Sequence, residues 1–369
     1  MNLKKLIEEN MDEIIDIRKE LNENAELSFE EYKTSNIVKS FLEKLDIDTK
    51  VLFNTGIVGN LNKGEEAIAI RADMDALPVN GVSHACGHDY HMAVVLGCAL
   101  ILKKLGYNKC VKFIFQPGEE DTGGAAPMIE EGVLEDPKVK YIIGLHVWPN
   151  LEVGKIEVIS GPSMASVDDF FITFHGKGGH AAMPHLCNNP IYPALDLIQT
   201  VNTKIHLKNN PLDPFVITFA SINAGDAPNV ISDNAKISGT VRTFNKKIRE
   251  SIKKDIQDLS KLCGEKFNCD VSIKYQDGYP PLINDKDFTD KFIESARDAL
   301  GKDNILPLEK SFAAEDFSYF AEKVPSIHFR LGICNEKQGD KALHSSNFDA
   351  DDKALYYGVY SIVKFILSL

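Results

Sequence analysis

The sequence has no block of basic residues to offset its net charge of −13, which comes from 41 Lys and Arg against 54 Asp and Glu. Proteins that hold nucleic acid by its phosphates need a basic surface, so the composition argues against nucleic-acid binding as the main function. The glycine-rich run at residues 176–179 has neither the spacing of a dinucleotide-binding fingerprint nor that of a P-loop. A phosphate cradle is therefore not expected there.

The seven cysteines form no disulfide framework, because their number is odd and no two have CxxC spacing. Reduced thiols in a cytoplasmic protein are the expected state. The N-terminal region lacks the apolar segment of a signal peptide. The apolar run at residues 356–369 is short for a membrane span and contains Lys364. These features predict a cytoplasmic protein that ends in a buried helix and has no membrane partner.

At 369 residues the chain suits two domains of roughly 150 residues each. Apolar runs at residues 56–61, 67–71, 111–115 and 141–145 predict strands, and helical periodicity lies between them, as at residues 92–105. This alternation favours an α/β domain with a mostly parallel sheet. Ser28, with Glu31 three residues later, predicts a capping box at the start of a helix.

The pattern changes near Ser163. Between residues 170 and 275 the predicted order is strand, helix, strand, strand, helix, strand, which is the order of a ferredoxin-like unit. From about Pro280 the chain returns to helix, strand and helix. The prediction is therefore an α/β catalytic domain (residues 1–165 and 279–369) interrupted by an inserted ferredoxin-like α+β domain (residues 166–278).

Cys86 and His88 are separated by one residue and stand directly before a predicted helix. An isolated Cys or His is usually an inert core residue, but a thiol and an imidazole at this spacing favour ligation of a divalent metal. Asp75, at the end of the preceding strand, is a candidate for the carboxylate that orients a ligand or a base. His84 and His91 are expected at most to support the ligands.

Glu119 and Glu120 follow a predicted strand and a Pro-Gly turn. Paired carboxylates in a loop usually serve solubility, but here one could bind metal while the other takes a proton from water. Because ligand-binding groups gather beyond the carboxyl ends of parallel strands, we expect these residues close to the Cys/His segment. The candidate ligands, enough for two metal ions, are Cys86, His88, Glu120, His146 and His344.

His180 follows the glycine-rich run in the predicted inserted domain, so it is not expected among the metal ligands. The residues alone leave two roles equally open for it: an exposed histidine on a surface loop, and a functional group carried by a loop that packs closely or moves.

Five segments, in this order, resemble the metal-dependent amidohydrolases of the aminoacylase/carboxypeptidase family. The nearest branch is that of hippurate hydrolases, auxin-conjugate hydrolases and N-acetyldiaminopimelate deacetylases. The segments are RADMDALP (71–78), HACGHD (84–89), FQPGEE (115–120), GLHV (144–147) and GGHAAMPH (178–185). The resemblance covers essentially the whole chain. It implies two divalent metal ions per chain (Zn, Mn, Co or Ni) and a homodimer formed through the inserted lid domain.

The resemblance also implies roles for single residues. It suggests the five candidate ligands above as a dinuclear site, with Glu119 as the general base on a metal-activated water. It suggests that His180 polarises the scissile carbonyl, typically in the active site of the partner subunit. Asn229 and Arg242 match positions that bind the substrate carboxylate, a task that suits the bidentate Arg side chain. The matching segment AEDFS (314–318) is interpreted as a helix start with capping carboxylates.

The sequence departs from the family pattern near the expected pocket. Only residues 79–83 separate two of the motifs, where relatives usually have a longer loop. Asn22 and Ala25 stand where a His and a Pro are common, Tyr90 replaces a usual Gly, and Gly118 replaces a usual Ala. None of these changes removes a ligand or the base, so they bear on substrate and pocket shape.

The predicted function is hydrolysis of the amide bond of an N-acyl amino acid. Cleavage of small peptides, as by a dipeptidase or carboxypeptidase, and deacetylation of N-acetyldiaminopimelate are alternatives. A different enzyme class would use Cys86 as a nucleophile, but this leaves the Glu pair and the distant histidines without a role. A catalytically silent binding protein is the remaining alternative, and the presence of Glu119 speaks against it.

Overall fold

The computed structural model describes residues 2–369, and the chain divides into two units. Unit 1 consists of Met1–Gly161, Ile283–Glu309 and Asp316–Leu369. Unit 2 consists of Pro162–Leu282 and Lys310–Glu315. Most of unit 2 is therefore one continuous segment that follows the first part of unit 1 in the chain.

Helices and strands alternate along both units. The α-helices are α1 (Leu3–Glu8), α2 (Met11–Glu23), α3 (Tyr32–Lys44), α4 (His88–Lys104), α5 (Ala125–Glu130), α6 (Ile191–Lys208), α7 (Lys246–Lys266), α8 (Lys286–Leu300), α9 (Ser318–Lys323) and α10 (Lys353–Ser368). The strands are β1 (Asp48–Leu52), β2 (Gly56–Leu61), β3 (Glu66–Asp73), β4 (Val111–Gln116), β5 (Lys138–Glu152), β6 (Ile156–Val158), β7 (Gly161–Met164), β8 (Asp168–His175), β9 (Gly179–His180), β10 (Phe215–Ala224), β11 (Val230–Ile231), β12 (Asn234–Thr243), β13 (Asp270–Asp277), β14 (Leu282–Asn284), β15 (Ile305–Pro307) and β16 (Ser326–Cys334).

The eight-stranded sheet of unit 1 has the order β1-β2-β4-β3-β5-β16-β6-β15. The four central strands β4, β3, β5 and β16 are parallel to one another. Antiparallel pairs occur between β1 and β2, between β2 and β4, and between β16 and β6. Every residue of β4 is buried, as expected for a parallel strand covered on both faces. The large, mostly parallel sheet confirms the predicted α/β class, with antiparallel pairs towards its edges.

Helix α4 is the central helix of the unit 1 core. Its residues from His88 to Leu102 are all buried, because the sequence is apolar on every side after the first turn. Helix α10 packs against α4 and α8, and ten of its residues are buried. The predicted buried helix at the C-terminal end of the sequence is thus confirmed. Among residues 2–369, no helix is both long enough and apolar enough to cross a membrane.

Unit 2 contains a four-stranded antiparallel sheet of order β10-β12-β8-β13, with α6 and α7 packed against it. The chain order β8-α6-β10-β12-α7-β13 is that of a split βαβ unit. In β8 buried and less buried positions alternate, so one face of the sheet meets the helices. The core between them includes Phe170, Phe174, Leu197, Val201 and Ile256.

Local boundaries differ from the sequence predictions where tertiary contacts decide. The capping box at Ser28 is wrong: α3 begins at Tyr32, and Ser28 Oγ donates to Asp75 Oδ2 at 2.7 Å instead. The helical spacing of apolar residues between positions 3 and 17 predicts one amphipathic helix, but the structure has a break near Asn10 that separates α1 from α2. Strand β5 does not end before His146 but runs on to Glu152. In the first case a distant carboxylate competes for the hydroxyl that would otherwise cap the helix.

Candidate metal centre

The candidate site lies in unit 1, where β3, β4 and β5 end beside one another. Asp73 at the end of β3 pairs with Gln116 at the end of β4, and β5 runs parallel on the other side of β3. The loop after β3 carries Asp75 and Cys86, the loop after β4 carries the Glu pair, and β5 carries His146. This is the edge of a parallel sheet at which ligand-binding groups gather.

The structure brings the five predicted ligands together. Cys86 Sγ lies 3.4 Å from His146 Nε2 and 3.3 Å from His344 Nε2. Glu120 Oε1 lies 3.2 Å from His344 Nε2 and 3.8 Å from His88 Nε2. Residues separated by more than 250 positions in the chain therefore present their donor atoms to one small volume.

The donors form two triads that share one thiol. Atoms within 4.8 Å of one another group Cys86 with His88 and His146, and Cys86 again with Glu120 and His344. Glu119 groups with His88 and Glu120 in a third, overlapping set. Sulfur, imidazole nitrogen and carboxylate oxygen are the donors of Zn²⁺ and similar transition metals, whereas Mg²⁺ and Ca²⁺ prefer oxygen alone.

His88 tests whether a metal fits this site. Both of its ring nitrogens are buried and have no hydrogen-bond partner among residues 2–369, although Nδ1 lies 3.3 Å from Asp75 Oδ1. Glu120 Oε1 is likewise buried without a hydrogen bond. Buried polar atoms are normally paired, because an unpaired one costs roughly 1–3 kcal/mol. Cations bound between these atoms would satisfy them, so the residues fit a divalent metal.

Hydrogen bonds set the tautomers of two further histidines. His146 Nδ1 lies 2.7 Å from Val147 O and must donate to it, which leaves the Nε2 lone pair directed towards Cys86. His91 Nε2 accepts the Val147 N–H at 2.9 Å, so its Nδ1 donates to Asp73 Oδ1 at 2.6 Å. Burial lowers the pKa of His146 to about 3, so this imidazole stays neutral, as a metal ligand must. Both ring nitrogens of His91 are therefore in hydrogen bonds to protein groups.

The electrostatics of the cluster show an excess of negative charge. Burial lowers the pKa of His88, but Asp73, Asp75 and Glu120 outweigh it and raise that pKa to about 10. Burial and the neighbouring Glu side chains raise the pKa of the Cys86 thiol well above its usual value. Both shifts favour extra protons in a metal-free cluster. Divalent cations would replace those protons.

Two glycines let the backbone approach the site. Gly87 has φ +79°, and a Cβ there would lie 2.3 Å from Val147 Cγ2, so only glycine lets the Cys86–His88 turn sit against β5. Gly118 has φ +66°, and a Cβ there would lie 2.2 Å from Phe29 Cε1. The unusual glycine at position 118 is therefore matched to Phe29, whose ring occupies the space that an alanine methyl would need.

A buried ionic network lies beneath the ligands. Arg71 is fully buried and donates to Asp73 Oδ2 at 2.7 Å, Gln116 Oε1 at 2.9 Å and Asp316 Oδ1 at 2.8 Å. Sequence reasoning did not find this network. Its signal was present, since Arg71 and Asp73 stand at the end of an otherwise apolar strand, where charged residues are rarely buried unless paired.

The interpretation of residues 314–318 as a self-capped helix start is wrong. Helix α9 begins at Ser318 and has no side-chain cap. The Asp316 carboxylate instead accepts the backbone N–H of Ala125 at 3.0 Å and the side-chain amide of Gln116 at 2.7 Å. It therefore stabilises the start of a different helix, α5, which no local pattern in the sequence could indicate.

The three remaining candidate residues lie in unit 2. His180 is exposed on β9, and Ala182 N–H donates to its Nδ1 at 3.1 Å, so the hydrogen of the neutral ring is on Nε2. Asn229 is its neighbour, because Asn229 O accepts the Ala181 N–H at 3.1 Å. Arg242 is on β12 and is half-buried, and burial lowers the pKa of its guanidinium.

Comparison with known proteins settles the family. Residues 69–368 match the family model described as Peptidase family M20/M25/M40. The chain belongs to this family. The chain is 37% identical to thermostable carboxypeptidase 2 of Saccharolobus solfataricus, over 96% of this chain and 95% of the relative. It is 33% identical to N-acetyldiaminopimelate deacetylase of Halalkalibacterium halodurans, over 96% and 99%.

Among solved structures, the YXEP protein of Bacillus subtilis, described as a dinuclear metal binding peptidase from the M20 family, is 31% identical with a TM-score of 0.82. The match covers 98% of this chain and 99% of that structure. These findings confirm the resemblance and the predicted enzyme class, a hydrolase of amide bonds. The predicted metal cofactor is confirmed as well, since that relative is described as binding a dinuclear metal and this chain presents two donor triads.

Proposed function

We propose that this M20 chain is a dinuclear-metal amidohydrolase that removes the acyl group from an N-acyl amino acid. The observation that carries the proposal is the pair of donor triads sharing Cys86, with a further carboxylate, Glu119, beside them. The deacetylase among its relatives supports an acylated amino acid as substrate. The carboxypeptidase, a relative of similar identity, supports small peptides as the second candidate substrate class.

Glu119 is the proposed general base. Its carboxylate lies within 4.8 Å of the donor atoms of His88 and Glu120 and is mostly buried. Metal ions held by the five ligands would supply Lewis-acid stabilisation of developing negative charge and make water a stronger acid. Glu119 takes the proton of the attacking water and returns it to the leaving amine, so one carboxylate serves both steps.

Asp75 is proposed as a positioning residue for the ligands. One carboxylate oxygen accepts the Ser28 hydroxyl at 2.7 Å and the Glu120 N–H at 2.9 Å. The other oxygen faces His88 Nδ1 at 3.3 Å. A carboxylate fixed in this way can orient the imidazole and raise its basicity as a ligand.

His180, Asn229 and Arg242 are proposed to act on the substrate. The Nε2–H of His180 is a suitable donor to the carbonyl oxygen as negative charge develops on it. The resemblance implies that it does so at the metal centre of a partner subunit. Arg242, with Asn229, would bind the substrate carboxylate by a charged, bidentate contact.

Replacement of His180 by Ala should lower kcat by roughly 10²–10³-fold, because one donor to the oxyanion is lost. The metal content, measured by elemental analysis, should stay that of the wild type, since His180 is in neither donor triad. A His180→Ala protein that has lost metal would contradict this placement. Unchanged kcat would contradict the catalytic role.

A homodimer and a cytoplasmic location complete the proposal. The dimer follows from the resemblance and would form through unit 2, where Leu207 and Leu212 are strongly exposed. All seven cysteines are free, which suits a reducing compartment. Sedimentation analysis of the purified chain, alone and with both leucines replaced by Ser, tests the assembly.

Hydrolysis assays of purified protein on N-acetyl amino acids, N-benzoyl amino acids and dipeptides test the proposed activity. We expect cleavage of an acylated amino acid that is lost with a chelator and restored by a divalent metal, with about two metal ions per chain. Preference for dipeptides would transfer the proposal to the peptidase alternative. A fully metal-loaded protein that hydrolyses none of these three substrate classes would favour the alternative of a catalytically silent binding protein.

A further inference from the structure

The loop that carries Glu119 and Glu120 is held at three backbone positions by buried carboxylates from elsewhere in unit 1. Glu31 Oε1 accepts the N–H of Gly118 at 2.9 Å, and Asp75 Oδ2 accepts that of Glu120 at 2.9 Å. The third, Asp316 Oδ2, accepts the N–H of Ala125 at 3.0 Å. The loop from residue 117 to residue 125 is therefore fixed before, within and after the Glu pair.

Glu31 is itself rigidly placed. Its side chain is fully buried, Oε1 also accepts the Phe29 N–H at 2.9 Å, and Oε2 accepts the Thr55 hydroxyl at 2.7 Å. The carboxylate thus joins the start of α3, the turn before β2 and the turn at Gly118. Glu31 belongs to none of the donor triads, and its bond to the Gly118 N–H connects it to the Glu pair through the loop backbone.

Asp316 fixes the other end of the loop. It is fully buried, and besides the Ala125 N–H it accepts from Gln116 Nε2 at 2.7 Å and from Arg71 Nη2 at 2.8 Å. Gln116 ends β4 immediately before the loop, and Ala125 begins α5 immediately after it. One carboxylate therefore ties together the two points at which the loop leaves and re-enters regular structure.

Such a clamp matters because the loop backbone is intrinsically adaptable. It contains Gly118, Gly123 and Gly124, and the first two have positive φ angles. Glu119 and Glu120 both reach the donor cluster from this loop, and small displacements of such groups cost large factors in rate. Charge-assisted bonds to the loop N–H groups are stronger than neutral ones and limit these displacements.

We propose that Glu31 and Asp316 are positioning residues that hold the loop at residues 117–125 so that the Glu119 and Glu120 carboxylates keep their places in the donor cluster. The part of this inference that concerns turnover rests on the proposed amidohydrolase function. The part that concerns the loop does not, because the three carboxylate–amide contacts exist whatever the substrate.

Glu31 and Asp316 differ in how many of their hydrogen bonds would survive replacement of the carboxylate by the isosteric amide. In Glu31→Gln the remaining oxygen can still accept from Phe29 and Gly118, while the new amide donates to the Thr55 hydroxyl, which can accept. In Asp316→Asn the oxygen can face either Arg71 or the Gln116 and Ala125 donors, and the new amide then meets donors on the other side. We therefore expect rescue by the isosteric amide at position 31 but not at position 316.

The experiment uses metal-loaded protein and measures hydrogen exchange of the amides in residues 117–125 by mass spectrometry, together with kcat and KM. Glu31→Ala and Asp316→Asn should accelerate exchange in this loop and lower kcat by roughly 10–100-fold, the effect typical of residues behind metal ligands. KM should change less than kcat. Glu31→Gln should match the wild type in both measurements.

Glu26→Ala is the matched control. Glu26 accepts the N–H groups of Lys33 and Thr34 at 2.8 and 3.0 Å in the first turn of α3, the helix that Glu31 precedes, and the hydrogen bonds of its carboxylate do not involve the loop. Its loss should affect thermal stability without changing exchange at residues 117–125. If Glu31→Ala does not fold, the folded isosteres Glu31→Gln and Asp316→Asn carry the test through their predicted difference.

Wild-type loop exchange in Asp316→Asn, or accelerated exchange in Glu31→Gln equal to that in Asp316→Asn, would overturn the inference. A wild-type protein that hydrolyses no acylated amino acid or peptide would instead overturn the proposed function. The exchange measurements would still decide whether the clamp holds the loop.

Discussion

Replacing Glu119 with Gln should lower kcat by roughly 10²–10⁴-fold, the usual contribution of a general acid–base group. The amide has nearly the same shape as the carboxylate but cannot take up a proton from water. Because the triads that share Cys86 contain Glu120 and not Glu119, metal content by elemental analysis should remain that of the wild type. Steady-state hydrolysis of the best N-acyl amino acid measures the loss of turnover.

The neighbouring residue provides the comparison for this experiment. Glu120→Gln removes a donor from the triad with Cys86 and His344, so it should lower metal content as well as turnover. Wild-type metal content in Glu119→Gln together with reduced metal content in Glu120→Gln would identify Glu119 as the base and Glu120 as the ligand. A Glu119→Gln protein that retains turnover would remove the base assignment, and one that loses metal as readily as Glu120→Gln would make Glu119 a ligand.

The positions of these residues in the sheet could be predicted from the sequence. Short apolar runs before Asp75, the Glu pair and His146 predicted parallel strands, and the carboxyl ends of such strands meet at one edge of a sheet. That argument needs only the order of the strands along the chain and not the distances between the side chains. The structure agrees at this level, since β3, β4 and β5 are adjacent and parallel. No predicted strand ends directly before His344, so the same argument gives no position for this candidate ligand.

The supporting contacts could not be predicted, for a different physical reason. Ser28 and Asp316 each stand where a local capping bond is available, and local patterns favour that bond. In the fold each side chain instead meets a partner distant in sequence, Asp75 for Ser28 and Arg71 for Asp316. The choice depends on which groups are buried together. The sequence carries that information only through the completed fold.

The glycine at position 118 shows how a departure from a family pattern becomes intelligible only in three dimensions. From the sequence alone, glycine in place of the usual alanine suggested a change in pocket shape. In the structure, the space that the alanine methyl would occupy is filled by the Phe29 ring, and the Gly118 N–H bonds Glu31. The departure therefore concerns how the N-terminal segment packs on the loop of the Glu pair.

Replacing Cys86 with Ala should weaken metal binding at both positions of the centre, whereas His344→Ala should weaken binding at one. The reason is geometric, since Cys86 is the donor common to both triads and His344 belongs to one of them. Loss of a direct ligand should exceed the roughly 10–100-fold loss in affinity typical of an outer partner. Metal content after dialysis, together with titration of chelator-treated protein with Zn²⁺, measures both affinities.

The same pair of variants distinguishes a shared ligand from a nucleophile. If Cys86 attacked the substrate, Cys86→Ala would lose turnover while binding as many metal ions as the wild type, and thiol alkylation would do the same. If Cys86 is a shared ligand, the Cys86→Ala protein should instead bind fewer metal ions than the His344→Ala protein. The burial of the thiol, with its pKa raised well above its usual value by burial and by Glu120 and Glu119, favours the ligand. A thiol in that environment is a poor nucleophile, because it needs a nearby cation to become a thiolate. A metal ion that stabilised the thiolate would itself bind the sulfur, and a bound sulfur is not free to attack the substrate.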